Sequence, residues 1–133
     1  MAKKTLLITA VFMFVMTSFC FAEDTASSLT LIDASVCQSI ENRNPVGVGD
    51  VFPSDIARVF CFTKAGSLEV TKIKHLWYYK DEKVAEIALK IGASASWRTR
   101  SSKAIMAHQT GNWKVEIVAS DNKVLKTIQF MVE

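Results

Sequence analysis

Residues 96–103, SWRTRSSK, set three cations, three serines and a tryptophan side by side. A serine beside basic groups is raw material for a nucleophile, provided a general base and an orienting acid stand near it. His75 and His108 are the two histidines of the sequence, and Ser101 or Ser102 with either, His75 above all, would make a small hydrolase. No GxSxG elbow or SxxK spacing accompanies these serines, so they read as polar positions on a strand or turn. Paired-carboxylate chemistry needs two acids flanking a cleft, whereas Asp81, Glu82, Glu116 and Asp121 fall in turns or on exposed strand faces. The histidines have no close acid partner, and Asp50 and Asp55 lack calcium-loop spacing, so neither a metal nor a cofactor is expected.

What remains is binding chemistry. Side chains alternate along a strand, so Trp97, Thr99, Ser101 and Lys103 would share one face and Ser96, Arg98, Arg100 and Ser102 the other. Arg98, Arg100 and Ser102 would then form a donor-rich patch suited to a carboxylate, a phosphate or a sugar hydroxyl. The competing role is structural: Arg98 could pair with Glu86 or Glu116 across strands, or lie over an aromatic ring. A second candidate surface is aromatic, with His75, Trp77 and Tyr79 on one strand face and Trp97 opening the basic strand. Aromatic faces beside polar donors stack sugar rings, although tryptophan in a β domain is commonly core, as expected of Trp113.

The elements that must position these residues are strands. Short apolar runs separated by turn residues mark seven of them: 29–39, 57–63, 71–79, 84–91, 96–105, 112–119 and 124–132. In NWKVEIVAS, Trp113, Val115 and Ile117 alternate with Lys114 and Glu116, and SDNK then supplies a turn in which Asn122 can take a left-handed conformation. VAEIALKIG fits a helical stripe as well, but Ala85, Ile87, Leu89 and Ile91 alternate as a strand after the β-prone HLWYY. Residues 42–54, NRNPVGVGDVFPS, read as a long loop with Phe52 as an apolar plug, and long loops in compact domains are often functional. Seven such strands predict a single all-β domain, an immunoglobulin-like antiparallel sandwich, although Cys37 and Cys61 both precede all three tryptophans, against the order of true immunoglobulin domains.

The first 22 residues have the layout of a secretory signal peptide: Lys3 and Lys4, an apolar run from Leu6, and a small residue at Ala22 before acidic sequence. Cleavage after Ala22 would leave a short polar lead, residues 23–28, and a domain at 29–133. Attachment to a membrane is expected only if that segment stays uncleaved, and Phe19 before Cys20 argues against a lipid anchor. The full chain of 133 residues has 16 basic and 13 acidic side chains. Without Lys3 and Lys4 the balance is almost neutral, which removes the electrostatic footprint of a nucleic-acid binder. In an oxidising compartment Cys37 and Cys61 would form one disulfide, stabilising the fold by roughly 3 to 4 kcal/mol.

Five stretches, VCQSIENRNPVG, FPSDIARVFCFT, HLWYYKDEKVAEIALKIG, SWRTRSSKAI and GNWKVEIVASDNKVLKTIQFMV, together resemble a bacterial family of exported or membrane-tethered modules, domain of unknown function 2914 (DUF2914). Arg100 departs from the pattern, standing where a second aromatic is expected. The resemblance implies a small all-β domain outside the cytoplasm and brings no reaction, cofactor or catalytic residue. The expectation is therefore a periplasmic or secreted, non-catalytic module of the envelope. It would contact a protein or glycan partner through Arg98, Arg100 and Ser102, with Trp97, His75 and Trp77 as further candidates. The alternatives are a small envelope hydrolase using His75 with a serine or a carboxylate, and a purely structural module.

Overall fold

A computed structural model describes residues 28–133. The expected signal segment, with Cys20 and the cleavage position Ala22, lies outside the described residues, as does all but the last residue of the polar lead.

Alternating sequences give strands throughout. They are β1 (Thr30–Cys37), β2 (Ser39–Glu41), β3 (Asn44–Val46), β4 (Val51–Phe52), β5 (Arg58–Ser67), β6 (Thr71–Tyr79), β7 (Glu82–Ile91), β8 (Ser94–Ala104), β9 (Gly111–Ala119) and β10 (Val124–Val132). β1, β5 and β8 form a three-stranded sheet, and β4, β10, β9, β6 and β7 a five-stranded one. The chain crosses between the sheets after β4, β5, β7 and β8, and stays within one sheet at the β6–β7 and β9–β10 hairpins. That is the immunoglobulin-type arrangement in which the strand after the third major one remains beside it. The all-β sandwich expected from the sequence is thus the fold, with all seven expected strands present.

Three short strands add to those seven, and all of them lie in or beside the stretch read as a loop. Asn42 and Arg43, with φ of 49° and 65°, close β2 onto β3 in a two-residue turn of the left-handed type. Pro45 is tolerated because β3 borders only β2. β4 runs parallel to the end of β10 and buries Phe52 against the Phe130 ring, centroids 5.7 Å apart. A similar turn at Lys80 and Asp81 closes β6 onto β7, and Asn122, with φ of 67°, takes the left-handed position expected in SDNK.

The core lies between the sheets. Ala34, Val36, Val59, Cys61 and Ala65 come from the three-stranded side, and Ile73, Trp77, Val115, Ile117, Phe130 and Val132 from the other. Trp77, Trp113 and Phe52 all pack their rings against Phe130. Removing that central ring should cost about 3–5 kcal/mol. β7 is an edge strand and overhangs the smaller sheet, which is why Ala85, Ile87 and Leu89 reach only half burial.

The Cys37–Cys61 bridge expected from the sequence is not formed, and both thiols are free and buried. Cys37 stands opposite Phe60, and Cys61 opposite Val36, in an unbroken stretch of the β1–β5 ladder. Directly opposed residues share a face and successive pairs alternate, so the two sulfurs project to opposite sides of the sheet, where a bridge is sterically barred. Cys61 faces the core, and Cys37 packs on the outer side where the chain turns into β2.

Candidate functional site

Two constellations deserve comparison, one between the sheets and one on the outside. The inner one is polar. Its members are Thr63 on β5, Ser101 on β8 and His75 and Trp77 on β6, all buried. His75 Nε2 lies 2.9 Å from Thr63 Oγ1 and its Nδ1 2.5 Å from Ser101 Oγ, while Trp77 Nε1 donates to the same Ser101 oxygen at 3.1 Å. With Trp77 donating to Ser101, the serine proton is free to reach Nδ1, and Nε2–H donates to Thr63. This assignment leaves every ring donor and acceptor satisfied. Burial lowers the His75 pKa to about 4, so the imidazole is neutral.

The serine–histidine proximity needed for a nucleophile is therefore present, but the surroundings are those of a core network. Both residues are buried, the orienting partner is a hydroxyl in place of a carboxylate, and neither concavity described below is lined by either residue. His75 and Trp77, which the sequence placed among the contact residues, instead tie the two sheets together inside. No local pattern marks Thr63 as a partner, because it lies twelve residues away on the opposite sheet.

Cys61 adjoins this seam. Burial chiefly, and secondarily the nearby Cys37, push its thiol up to about 12, against a partly offsetting hydrogen bond from Thr63. Cys37 is raised by burial as well, with backbone hydrogen bonds at Val46 and Ser39 acting against the shift. Neither sulfur is a ready nucleophile.

The outer constellation comes from strand parity. Ser101 pairs with Cys61 and faces the core, so its neighbours Arg100 and Ser102, opposite Phe62 and Phe60, and Arg98, opposite Lys64, all face outward. Ser102 accepts a 2.7 Å hydrogen bond from Arg58 Nη1. Beside it a concavity of about 230 Å³ is lined by Arg98, Thr99, Arg100 and Phe62 of the sheet and by Ile40 and Arg43 of the β2–β3 hairpin. The cross-strand pairs considered for Arg98 are not made. Glu86 pairs with Lys74 and Glu116 with Lys114, each at 3.6 Å, on the other sheet. Among the described residues no ion pair involves Arg43, Arg98 or Arg100.

Trp97 is half-buried, with its ring on the backbone of the β7–β8 connection. A Cβ at Gly92 would stand 2.5 Å from it. With Trp77 and Trp113 in the core, these tryptophans leave no open aromatic platform.

A second concavity, about 430 Å³, opens on the five-stranded sheet between Asp50, Asp81, Asn112, Lys114 and Gln129. Its cation is compensated: Lys114 lies 3.6 Å from Glu116 and 4.0 Å from Asp81, and 4.7 Å from the Tyr78 ring centroid. Among the described residues no group of histidine, cysteine and acidic side chains could hold a metal ion, and no helix is long and apolar enough to cross a membrane.

Comparison with known proteins adds a family match over part of the chain and a fold. Residues 70–132, from the start of β6 to the end of β10, match the family model of a protein of unknown function, DUF2914. The match takes in HLWYYKDEKVAEIALKIG, SWRTRSSKAI and the closing hairpin, and does not reach VCQSIENRNPVG or FPSDIARVFCFT. A search of curated proteins returns no match. Among solved structures, the chain is similar to part of a β-glucosidase from Erythrobacter marinus, with a TM-score of 0.54 at 4% identity over 80% of this chain. It is similar to part of a β-glucosidase from Listeria innocua in complex with glucose, with a TM-score of 0.53 at 12% identity over 80% of this chain. In both cases it spans only 16% of the other chain. At these identities the likeness carries the fold alone.

Proposed function

From a chain whose residues 70–132 carry the DUF2914 match, a family of unknown function, we propose a non-catalytic binding module of the bacterial envelope, exported by its N-terminal segment. It engages a protein or glycan partner through the outer face of the three-stranded sheet. The observation that carries this reading is the uncompensated pair Arg98 and Arg100, beside a Ser102 already held by Arg58. Arg100 is exposed and Arg98 half-buried, so their donors stay available to a partner, and complementary charge is what such a patch offers. The buried setting of His75 and Ser101 supports a binding role over hydrolysis. The partial likeness to β-glucosidases is compatible with an accessory domain and lends no reaction to this chain.

The test replaces Arg98 and Arg100 by alanine together and measures crosslinking to envelope components alongside the melting temperature. Loss of the crosslink at an unchanged melting temperature is expected. Retention of the crosslink would move the contact surface elsewhere, and loss of folding would make the arginines structural.

A further inference from the structure

The groove between the sheet and the β2–β3 hairpin is lined by three arginines from two elements that are far apart in sequence. Arg98 and Arg100 are two residues apart on β8 and so share its outer face, while Arg43 comes from the hairpin turn. The remaining lining is Thr99, Phe62 and Ile40, with no carboxylate. Glu41 follows Ile40 on β2, so alternation directs it away from the groove. Phe62 and Ile40 supply its apolar lining.

Arg43 occupies the second position of its turn at φ 65°, where glycine would be the relaxed choice. Like-charged neighbours with no carboxylate among the lining residues are a pattern that a bound anion would relieve.

We infer that this groove is an oxyanion site for a phosphate monoester group, held by Arg43, Arg98 and Arg100. A phosphate dianion brings about two charges and three acceptor oxygens, matching three guanidinium forks better than the single charge of a carboxylate. The inference rests on the partner-binding reading of this face, and it adds Arg43 and a ligand chemistry.

The test follows the arginine Nε–H signals of the full chain by NMR at roughly 0.15 M salt, where loose surface ion pairing is screened. The probes are inorganic phosphate, glycerol 1-phosphate, phosphatidylcholine vesicles with and without phosphatidic acid, and acetate as the carboxylate control. Saturable shifts at Arg43, Arg98 and Arg100 are expected with phosphate, and affinity about ten-fold weaker for acetate. The Arg98→Gln, Arg100→Gln double variant should lose the response. Arg43→Gly, a change confined to an exposed turn, should weaken it even if the double variant fails to fold.

A stronger response to glycerol 1-phosphate supports a soluble or glycan-borne phosphate, and a response specific to phosphatidic acid supports a lipid headgroup. Equal response to acetate and phosphate, or shifts that survive the substitutions, would overturn the site. If phosphate fails while the alanine pair still abolishes the crosslink, the partner face stands and the phosphate assignment falls. If phosphate binds and the crosslink persists, the reverse holds.

Discussion

The imidazole of His75 is hemmed between two hydroxyls, and neither of them compensates a positive charge in the core. The ring therefore titrates near 6.5 in the unfolded chain but only at about 4 in the fold. The unfolded state takes up its proton first as the pH drops, so the contribution of this residue is complete above about pH 6.5 and is lost on the way to pH 4. The slope is ~1.4 kcal/mol per pH unit and the total about 3 kcal/mol. Urea unfolding at neutral pH and again near pH 4.5 should show this loss. A His75→Gln variant should have a shallower pH dependence, because glutamine keeps a donor and an acceptor without a titrating ring. An equal slope in both proteins would remove the histidine from the account. The sequence offered His75 as a base or a surface contact, and nothing in its local pattern announced Thr63. Only the packing of β6 onto β5 and β8 supplied the partners.

At the level of elements, the β2–β3 hairpin matters most. Its turn spends left-handed conformations on Asn42 and Arg43, and only the first is a residue type that tolerates them easily. Arg43→Gly should therefore raise stability by about 0.5–1 kcal/mol while weakening anion binding, an opposition expected where strain serves a site. Thermal unfolding and the phosphate titration on the same variant check both halves. The elements with clean alternation, β6, β9 and β10, were legible because one face of each is buried and the other is wet. The hairpin was not, since NRNPVG carries turn residues and no alternation, and its pairing depends on a backbone conformation that Asn42 allows but does not dictate.

For the molecule as a whole, the pairing of β1 with β5 decides the fate of the cysteines. Two cysteines in an exported chain are fair grounds to expect a bridge, but the register places their side chains on opposite faces. Both thiols should therefore stay unlabelled by alkylating reagent in the native protein and react once it is denatured without reductant. A reductant should leave the melting temperature unchanged, and a marked drop in that temperature would restore the bridge.

The sequence by itself determined the all-β class, the seven principal strands, the turn at Asn122 and the division of SWRTRSSK into two faces. All of these follow from local alternation and local turn chemistry. The tertiary structure decided what depends on register and on residues distant in the chain: the separation of Cys37 from Cys61, the seam joining His75 to Thr63 and Ser101, and the approach of Arg43 to Arg98 and Arg100. A one-residue shift in pairing reverses every side chain of a strand, and local sequence does not encode which residue of another strand stands opposite.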